Sequence, residues 1–430
     1  MKYRIFIISI SLILCFQSLP IFAVELTKHS YENNISQTDI TDFIGSINIS
    51  LVKYYLEKLV SFGPHPTGSD NCSKVAEYIY TEFNNMSLDV YFDEWSFPLV
   101  NDKNIIATLN GKNENHNGMY IICAHYDTWW NSSGANDDGS GVAVILSIAN
   151  ILSKYCFNNT IRFVLFSGHE TGPLYTYGSF AYAKKAYQHN ENILGVINID
   201  AVGSTGDSGN ALRLSKLTRP DQFSKITESV AERYYQLINI KIQITEFDNI
   251  ALDHQSFIDY GYEAITYIQP NCLSVPCHSP DDNLDFIDFN FLTNVTKLTI
   301  AVVVTLAEKP NDLQVHIVKP KEGLVYLGNQ PLIDTFGWNL RCLGIRGLTY
   351  LIGEITVEIN ITNHEEIFYV YFYIDNQITI NGIKIEPPYE FTINLFSHKP
   401  FLSFGKHKLS VIATATSGKI AYDEMDLFFI

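Results

Sequence analysis

The sequence predicts an α/β protein with an all-β appendage. Residues 51–308 fit a three-layer α/β/α sandwich around a mixed, mostly parallel sheet, and residues 312–430 fit an immunoglobulin-like β-sandwich. Three observations support this. In the first region, almost unbroken apolar runs alternate with helical patterns, as strands covered on both faces by helices require. At Glu308-Lys309-Pro310-Asn311-Asp312 the composition changes and helical periodicity ends. Beyond that point short runs alternate apolar with polar residues and are divided by turn signals.

The N-terminus reads as an address. Lys2 and Arg4 precede the apolar run 5–15, and Pro20-Ile21-Phe22-Ala23 offers a small residue for cleavage. The pattern predicts a signal peptide over 1–23, hence a secreted, extracellular protein with no stable membrane insertion after cleavage; the run is short for a spanning helix. An uncleaved membrane anchor is the competing reading. A lipid anchor at Cys15 is disfavoured by the bulky Leu14, and residues 24–50, polar and aperiodic, are expected to form a loose lead-in.

Leu51, Tyr54, Tyr55 and Leu59 then open a helical pattern that stops at the turn Phe62-Gly63-Pro64-His65-Pro66-Thr67-Gly68-Ser69. Val75, Ile79 and Phe83 mark a second helix, and alternating runs follow at 90–97 and 104–109. A buried strand at 119–123 leads to a helix at 140–153, a strand at 161–166 and a helix at 179–188. Next come a strand at 193–199, a helix at 220–236, strands at 241–245 and 264–268, and a last helix at about 289–307. Its apolar stretch 298–306 is too short to span a bilayer and reads as core. In the C-terminal region Val357, Ile359 and Ile361 alternate with Thr356, Glu358 and Asn360, and further strands are expected at 368–374, 389–395, 408–413 and 422–430. Asn381-Gly382, Pro387-Pro388 and Ser417-Gly418 separate them. The Cys…Trp…Cys signature is missing, so immunoglobulin-like denotes architecture alone.

A formal charge of −17 over 430 residues, with no basic stripe to offset it, argues against nucleic-acid binding. Hydrophobic residues make up 46% of the chain, enough for a sizeable core. Removal of Cys15 with the signal peptide leaves Cys72, Cys123, Cys156, Cys272, Cys277 and Cys342. Export permits disulfides, and Cys272 and Cys277 are close enough in sequence to bridge. Cys123 lies in an apolar strand and reads as a buried small hydrophobe. No cysteine spacing marks a structural zinc knot.

The chemistry concentrates at strand ends. His125 and Asp127 follow the run 119–123, and Asp137 and Asp138 lie in the turn Gly134-Ala135-Asn136-Asp137-Asp138-Gly139-Ser140-Gly141. Glu170 lies in Ser167-Gly168-His169-Glu170-Thr171-Gly172, just after the strand at 161–166. Asp200 ends Asn198-Ile199, and His278 sits in Pro276-Cys277-His278-Ser279-Pro280-Asp281-Asp282. Imidazole with carboxylate is the donor set zinc favours when it must also hold water. Two zinc ions about 3.5–4 Å apart need a bridging carboxylate and terminal ligands on each. In open α/β sheets such sites lie beyond the carboxyl ends of the strands.

Over residues 50–307 the chain resembles the secreted co-catalytic zinc aminopeptidases, a group that also holds glutamate carboxypeptidase-like enzymes. The likeness rests on Phe62–Ser69, His125-Tyr126-Asp127, Gly134–Gly141, Asn198–Gly203, Asp253-His254-Gln255-Ser256-Phe257 and His278–Asp288, all in order. It implies a zinc exopeptidase fold, two Zn2+ per chain and a peptide substrate. It implies that Asp137 bridges the metals, with His125 and Asp200 at one and Glu170 and His278 at the other. Asp127 would orient His125 from behind, and Asp138 would support the turn.

The sequence departs from the family at His169. Two consecutive glutamates are expected there, the first a general base and the second a zinc ligand; here the pair reads His169-Glu170. Three readings compete: His169 is itself the base, the protein binds zinc and peptides but hydrolyses poorly, or a different substrate has reshaped the site. A register in which Glu170 is the base would leave one zinc short of a ligand. The alternative to a peptidase is a secreted zinc-binding recognition protein on the same fold, with the β-sandwich free to contact a cell surface or polymer. His65 reads as a surface or turn residue, and His254 as a loop residue beside the site. Trp129 and Trp130 are candidates for a substrate wall or for packing. Sequons such as Asn48-Ile49-Ser50 and Asn131-Ser132-Ser133 permit glycosylation.

Overall fold

The computed structural model describes residues 37–112, 118–171, 176–189, 191–204, 209–216, 222–246, 252–260, 262–270, 277–308, 313–321, 324–331, 349–362, 367–375, 377–384, 386–393, 404–416 and 420–430. The expected signal peptide, Cys272, Cys342 and the segment 309–312 lie outside them.

From Gln37 onward the expected loose lead-in is helical. Helix α1 (Gln37–Ser46) precedes α2 (Ile49–Val60), and Ile40, Ile44 and Ile47 are buried. Ile40 and Ile44, four residues apart, lie on one face of α1 and Ile47 follows just past its end, so a short apolar stripe docks this segment. Asn48 is committed to the N-cap of α2, where its side chain accepts from Leu51 N–H.

After α3 (Asp70–Asn85) come β1 (Asp89–Phe97), β2 (Val100–Leu109) and β3 (Met119–His125), then α4 (Gly139–Leu152), β4 (Thr160–Phe166) and α5 (Tyr177–Gln188). The chain continues through β5 (Ile193–Asp200), β6 (Ala211–Lys216), α6 (Gln222–Arg233), the single turn α7 (Tyr235–Ile238) and β7 (Lys241–Glu246). Then follow α8 (Asp253–Asp259), β8 (Ala264–Ile268) and α9 (Phe289–Ala307). The strands form one sheet in the order β1-β2-β4-β3-β5-β8-β6-β7. Its middle, β4-β3-β5-β8, is parallel, and the antiparallel pairs lie toward the two edges. Alternation along β3 shows the layering. Tyr120, Ile122 and Ala124 face a core built with α2, α3, α4, α6 and α9, whereas Met119, Ile121 and Cys123 face a second core with α5 and α8. Helix α9 is long and apolar enough to cross a membrane, yet most of it is core of this sandwich. β6 and α8 were not anticipated. β6 is short, and the seven residues of α8 are all buried, which removes the amphipathic signal that marks a surface helix.

The C-terminal region is all β. It comprises β9 (Gln314–Lys319), β10 (Val325–Leu327), β11 (Gln330–Pro331), β12 (Thr349–Ile352), β13 (Ile355–Thr362), β14 (Ile367–Ile374), β15 (Gln377–Lys384), β16 (Glu390–Ile393), β17 (Gly405–Ala415) and β18 (Ile420–Phe429). A seven-stranded sheet, β11-β10-β12-β18-β17-β14-β15, packs with a three-stranded sheet, β16-β13-β9, around a separate apolar core.

Lys321, just past β9, meets the α/β region. Its Nζ lies 3.5 Å from the ring centre of Tyr187 and 4.8 Å from that of Tyr262. Burial pulls the amine down from 10.5 to about 7. Between about pH 7 and 10.5 the unfolded chain therefore holds a proton that the folded chain has released, so this residue makes stability rise with pH across that window. Thermal melts from pH 7 to 10 should show a steeper upward trend in Tm for wild type than for Lys321→Met. Equal slopes would show that Lys321 is not desolvated.

Candidate metal centre

The site gathers at the carboxyl ends of β3, β4 and β5. His125 is the last residue of β3 and Asp200 the last of β5, and the two strands are paired. Asp137 comes from the turn between β3 and α4, Glu170 from the loop after β4, and His278 from the loop before α9. The structure brings these residues together. His125 Nε2 lies 3.2 Å from Asp137 Oδ1 and 4.0 Å from Asp200 Oδ2. His278 Nε2 lies 3.3 Å from Asp137 Oδ2 and 3.0 Å from Glu170 Oε1. Asp137 thus turns one oxygen toward each histidine, the disposition a bridging carboxylate needs.

The donors fit cations. Asp127, Asp137, Asp138, Asp200 and Asp253 are all buried here, and buried carboxylates require a partner charge or a metal. Burial raises the Asp200 carboxyl to about 6 despite His125 and His169, and its Oδ2 is enclosed without a hydrogen-bond partner. Burial and the charge of Asp200 push Asp138 well above the carboxylate range. Burial works against protonation of His125, but Asp127 and Asp137 outweigh it and hold the imidazole well above its usual value. Asp137 is likewise pushed up by burial yet ends far below its usual range, because it accepts from His125 and His278. The donor atoms of His125, Asp137 and Glu170 lie within 4.8 Å of one another, as do those of His125, His169 and Asp200.

The turn carrying Asp137 is held from several sides. Gly134 takes a positive φ of 64°, and a Cβ there would fall 2.3 Å from Thr128 Cγ2. Asp138 Oδ1 accepts from Gly141 N–H at 2.9 Å and Ala201 N–H at 3.1 Å, which ties the start of α4 to the end of β5. The Asp137–Asp138 peptide is cis. Asp282, quoted above only within a motif, proves central: Oδ1 accepts from Asn136 N–H at 2.7 Å and Oδ2 from Asp137 N–H at 3.1 Å. Burial lifts its carboxyl to about 7. The signal for it was weak, since nothing local says which turn Asp282 would reach.

Asp127 supports the site by a route that differs from the expected one. Its backbone carbonyl, at 3.0 Å, is the partner of His125 Nδ1, while its carboxylate Oδ1 is 3.7 Å away. The carboxylate instead accepts from Thr67 Oγ1 at 2.6 Å, Glu170 N–H at 3.0 Å and His169 N–H at 3.2 Å. It therefore fixes the loop that presents His169 and Glu170. His65 is buried rather than on the surface, its N–H donating to Thr128 Oγ1. Trp129 stacks on His278 at 4.7 Å, whereas Trp130 is 67% exposed. His254 is not on a loop: it lies buried within α8. Cys123 is a buried thiol, and Cys277 is free rather than bridged.

Residues 104–303 match the model of peptidase family M28. This stretch is similar to family M28 peptidase domains. A protein named "Probable zinc metalloprotease" from Pyrenophora teres f. teres (strain 0-1) is 25% identical over 334 residues, which cover 62% of this chain and 68% of that protein. Aminopeptidase YwaD of Bacillus subtilis (strain 168) is 27% identical over 229 residues, 50% of this chain and 47% of YwaD. Among solved structures, the LapA aminopeptidase of Legionella pneumophila superposes with a TM-score of 0.57 at 18% identity, covering 64% of this chain and 76% of LapA. The likeness to proteins named as zinc metalloproteases agrees with the zinc-fitting chemistry of the donor cluster.

If the cluster holds metal, His125→Ala and Asp200→Ala should each lower bound zinc per chain and lower Tm. Binding to the native state alone stabilises by about 2.7 kcal/mol at a metal concentration a hundredfold above Kd. Elemental analysis and thermal melts with and without chelator measure both effects. Unchanged zinc in both variants would overturn the ligand set.

Proposed function

We propose that the protein is a secreted zinc exopeptidase that removes N-terminal residues from peptides. The observation that carries this reading is the split carboxylate of Asp137 between His125 and His278, with Asp200 and Glu170 completing the two sides. It favours two zinc ions. When bound, they supply Lewis acidity toward the scissile carbonyl and lower the pKa of the attacking water. The chain's own residues do the rest. His125 and Asp200 hold one side and Glu170 and His278 the other, with Asp137 shared. Asp127 and Asp282 fix the two loops that deliver these groups. His169 lies next to Glu170 with its ring against that of His125, and is the proton acceptor. It takes the proton from the attacking water and returns it to the leaving amine.

Secretion is proposed from the N-terminal charge and apolar run. The C-terminal β region, proposed as immunoglobulin-like, serves attachment to a surface or polymer, or holds the α/β region steady through Lys321.

A panel of aminoacyl anilides and short peptides, free and N-acetylated, tests the reading. Hydrolysis should need zinc and a free amine. His169→Ala should lower kcat about 10²–10⁴-fold, the usual loss for a missing base, with zinc content intact. His169→Glu should keep or raise activity. If wild type turns over nothing while His169→Glu gains activity, the natural protein is a zinc-binding recognition protein rather than a working peptidase.

A further inference from the structure

His169 is part-buried, and Asp253, the first residue of α8, is buried beside it. His169 Nδ1 lies 3.0 Å from Asp253 Oδ2. Its ring lies face to face with that of His125, centroids 3.9 Å apart and planes 7° from parallel. These contacts have separate consequences. A carboxylate can only accept, so its partner nitrogen carries the hydrogen, and in the neutral ring Nε2 then keeps the free lone pair. An imidazole lone pair lies in the plane of its ring. Two rings stacked nearly parallel cannot both aim lone pairs at one ion, although donor atoms of His125, His169 and Asp200 lie within 4.8 Å of one another. The stacking therefore keeps His169 Nε2 out of the coordination sphere that His125 serves and leaves it for a proton.

We propose that Asp253 is the positioning residue of His169: by accepting its Nδ1–H, it fixes the tautomer with bare Nε2 and holds the ring where a base must stand. This rests on the peptidase reading above. In the reaction a proton passes from the attacking water to Nε2, giving an imidazolium whose Nδ1–H still faces the Asp253 carboxylate. The same proton then leaves with the amine, so His169 ends unchanged. Asp253 takes no part in the ligand pairs at Asp137, which separates it from the metal-binding residues. The carboxylate also compensates for what the chain lost: a lone imidazole could ionise or turn its wrong nitrogen inward, and Asp253 prevents the second.

The test is a double-mutant cycle on the zinc-loaded full chain, with circular dichroism to confirm folding. Asp253→Asn in wild type should lower kcat about 10–100-fold, the usual cost of losing a carboxylate behind a working histidine, with KM within about threefold and zinc content unchanged. In the His169→Glu background the same change should cost at least about tenfold less, because the hydrogen bond it removes is no longer there. Equal losses in both backgrounds would make Asp253 a structural residue and overturn the proposal. Loss of zinc in Asp253→Asn would also overturn it, since His169 would then be a ligand. Imidazole 15N NMR, with the His169 signals identified by their loss in His169→Glu, reads the tautomer without turnover. Wild type should show Nδ1–H and Asp253→Asn a mixed or reversed tautomer. An Nε2–H wild type overturns the proposal even in an active enzyme, whereas an Nδ1–H tautomer in a protein that cleaves no peptide supports it and counts against the peptidase reading.

Discussion

An excess of buried carboxylate over imidazole governs the centre of this molecule. Asp127, Asp137, Asp138, Asp200 and Asp253 are enclosed at the ends of β3, β4 and β5, with His125 between them and His169 and His278 at the margin. Burying that much like charge without compensation is prohibitive. The protein meets the cost partly with backbone donors: Ala201 N–H and Gly141 N–H on Asp138, His169 N–H and Glu170 N–H on Asp127. What remains, centred on Asp137 and the unpartnered Asp200 Oδ2, calls for cations. The α/β sheet supplies the place and this charge pattern supplies the need.

The same groups explain why loops far apart in sequence are held so firmly. Asp282, from the loop before α9, holds the Asn136–Asp137 backbone, while Asp138 spans from α4 to the end of β5. Thr67, from the turn before α3, donates to Asp127 and accepts from Gly168 N–H at 3.0 Å. Each is a carboxylate or hydroxyl placed to satisfy backbone donors at strand ends, where the sheet ladder has stopped. The polar contacts around the donor cluster therefore join these loops and satisfy their backbone donors at once.

His169 stands where the resemblance to zinc aminopeptidases leads one to expect the first of two glutamates. The replacement keeps a nitrogen base beside Glu170 but changes what the surroundings must do. A carboxylate offers equivalent oxygens; an imidazole offers two unlike nitrogens, and only one can serve. Neighbours that select the nitrogen matter more here than where a glutamate stands.

Much of this was legible in the sequence. Continuous apolar strands, the glycine-rich turn and the ordered donors His125, Asp137, Glu170, Asp200 and His278 pointed to the α/β class and to the cluster of candidate ligands, because period and chemistry are local properties. The break after α9 marked the all-β region for the same reason. Tertiary structure decided what depends on proximity. It buried α1 through Ile40 and Ile44 and hid α8 entirely. It moved the orienting contact on His125 from the carboxylate of Asp127 to its carbonyl, drew Asp282 across to the metal turn, and set Asp253 behind His169. No periodicity or spacing encodes which of many aspartates will meet which loop. That is fixed only when packing brings residues more than eighty positions apart, such as His169 and Asp253, to hydrogen-bond distance.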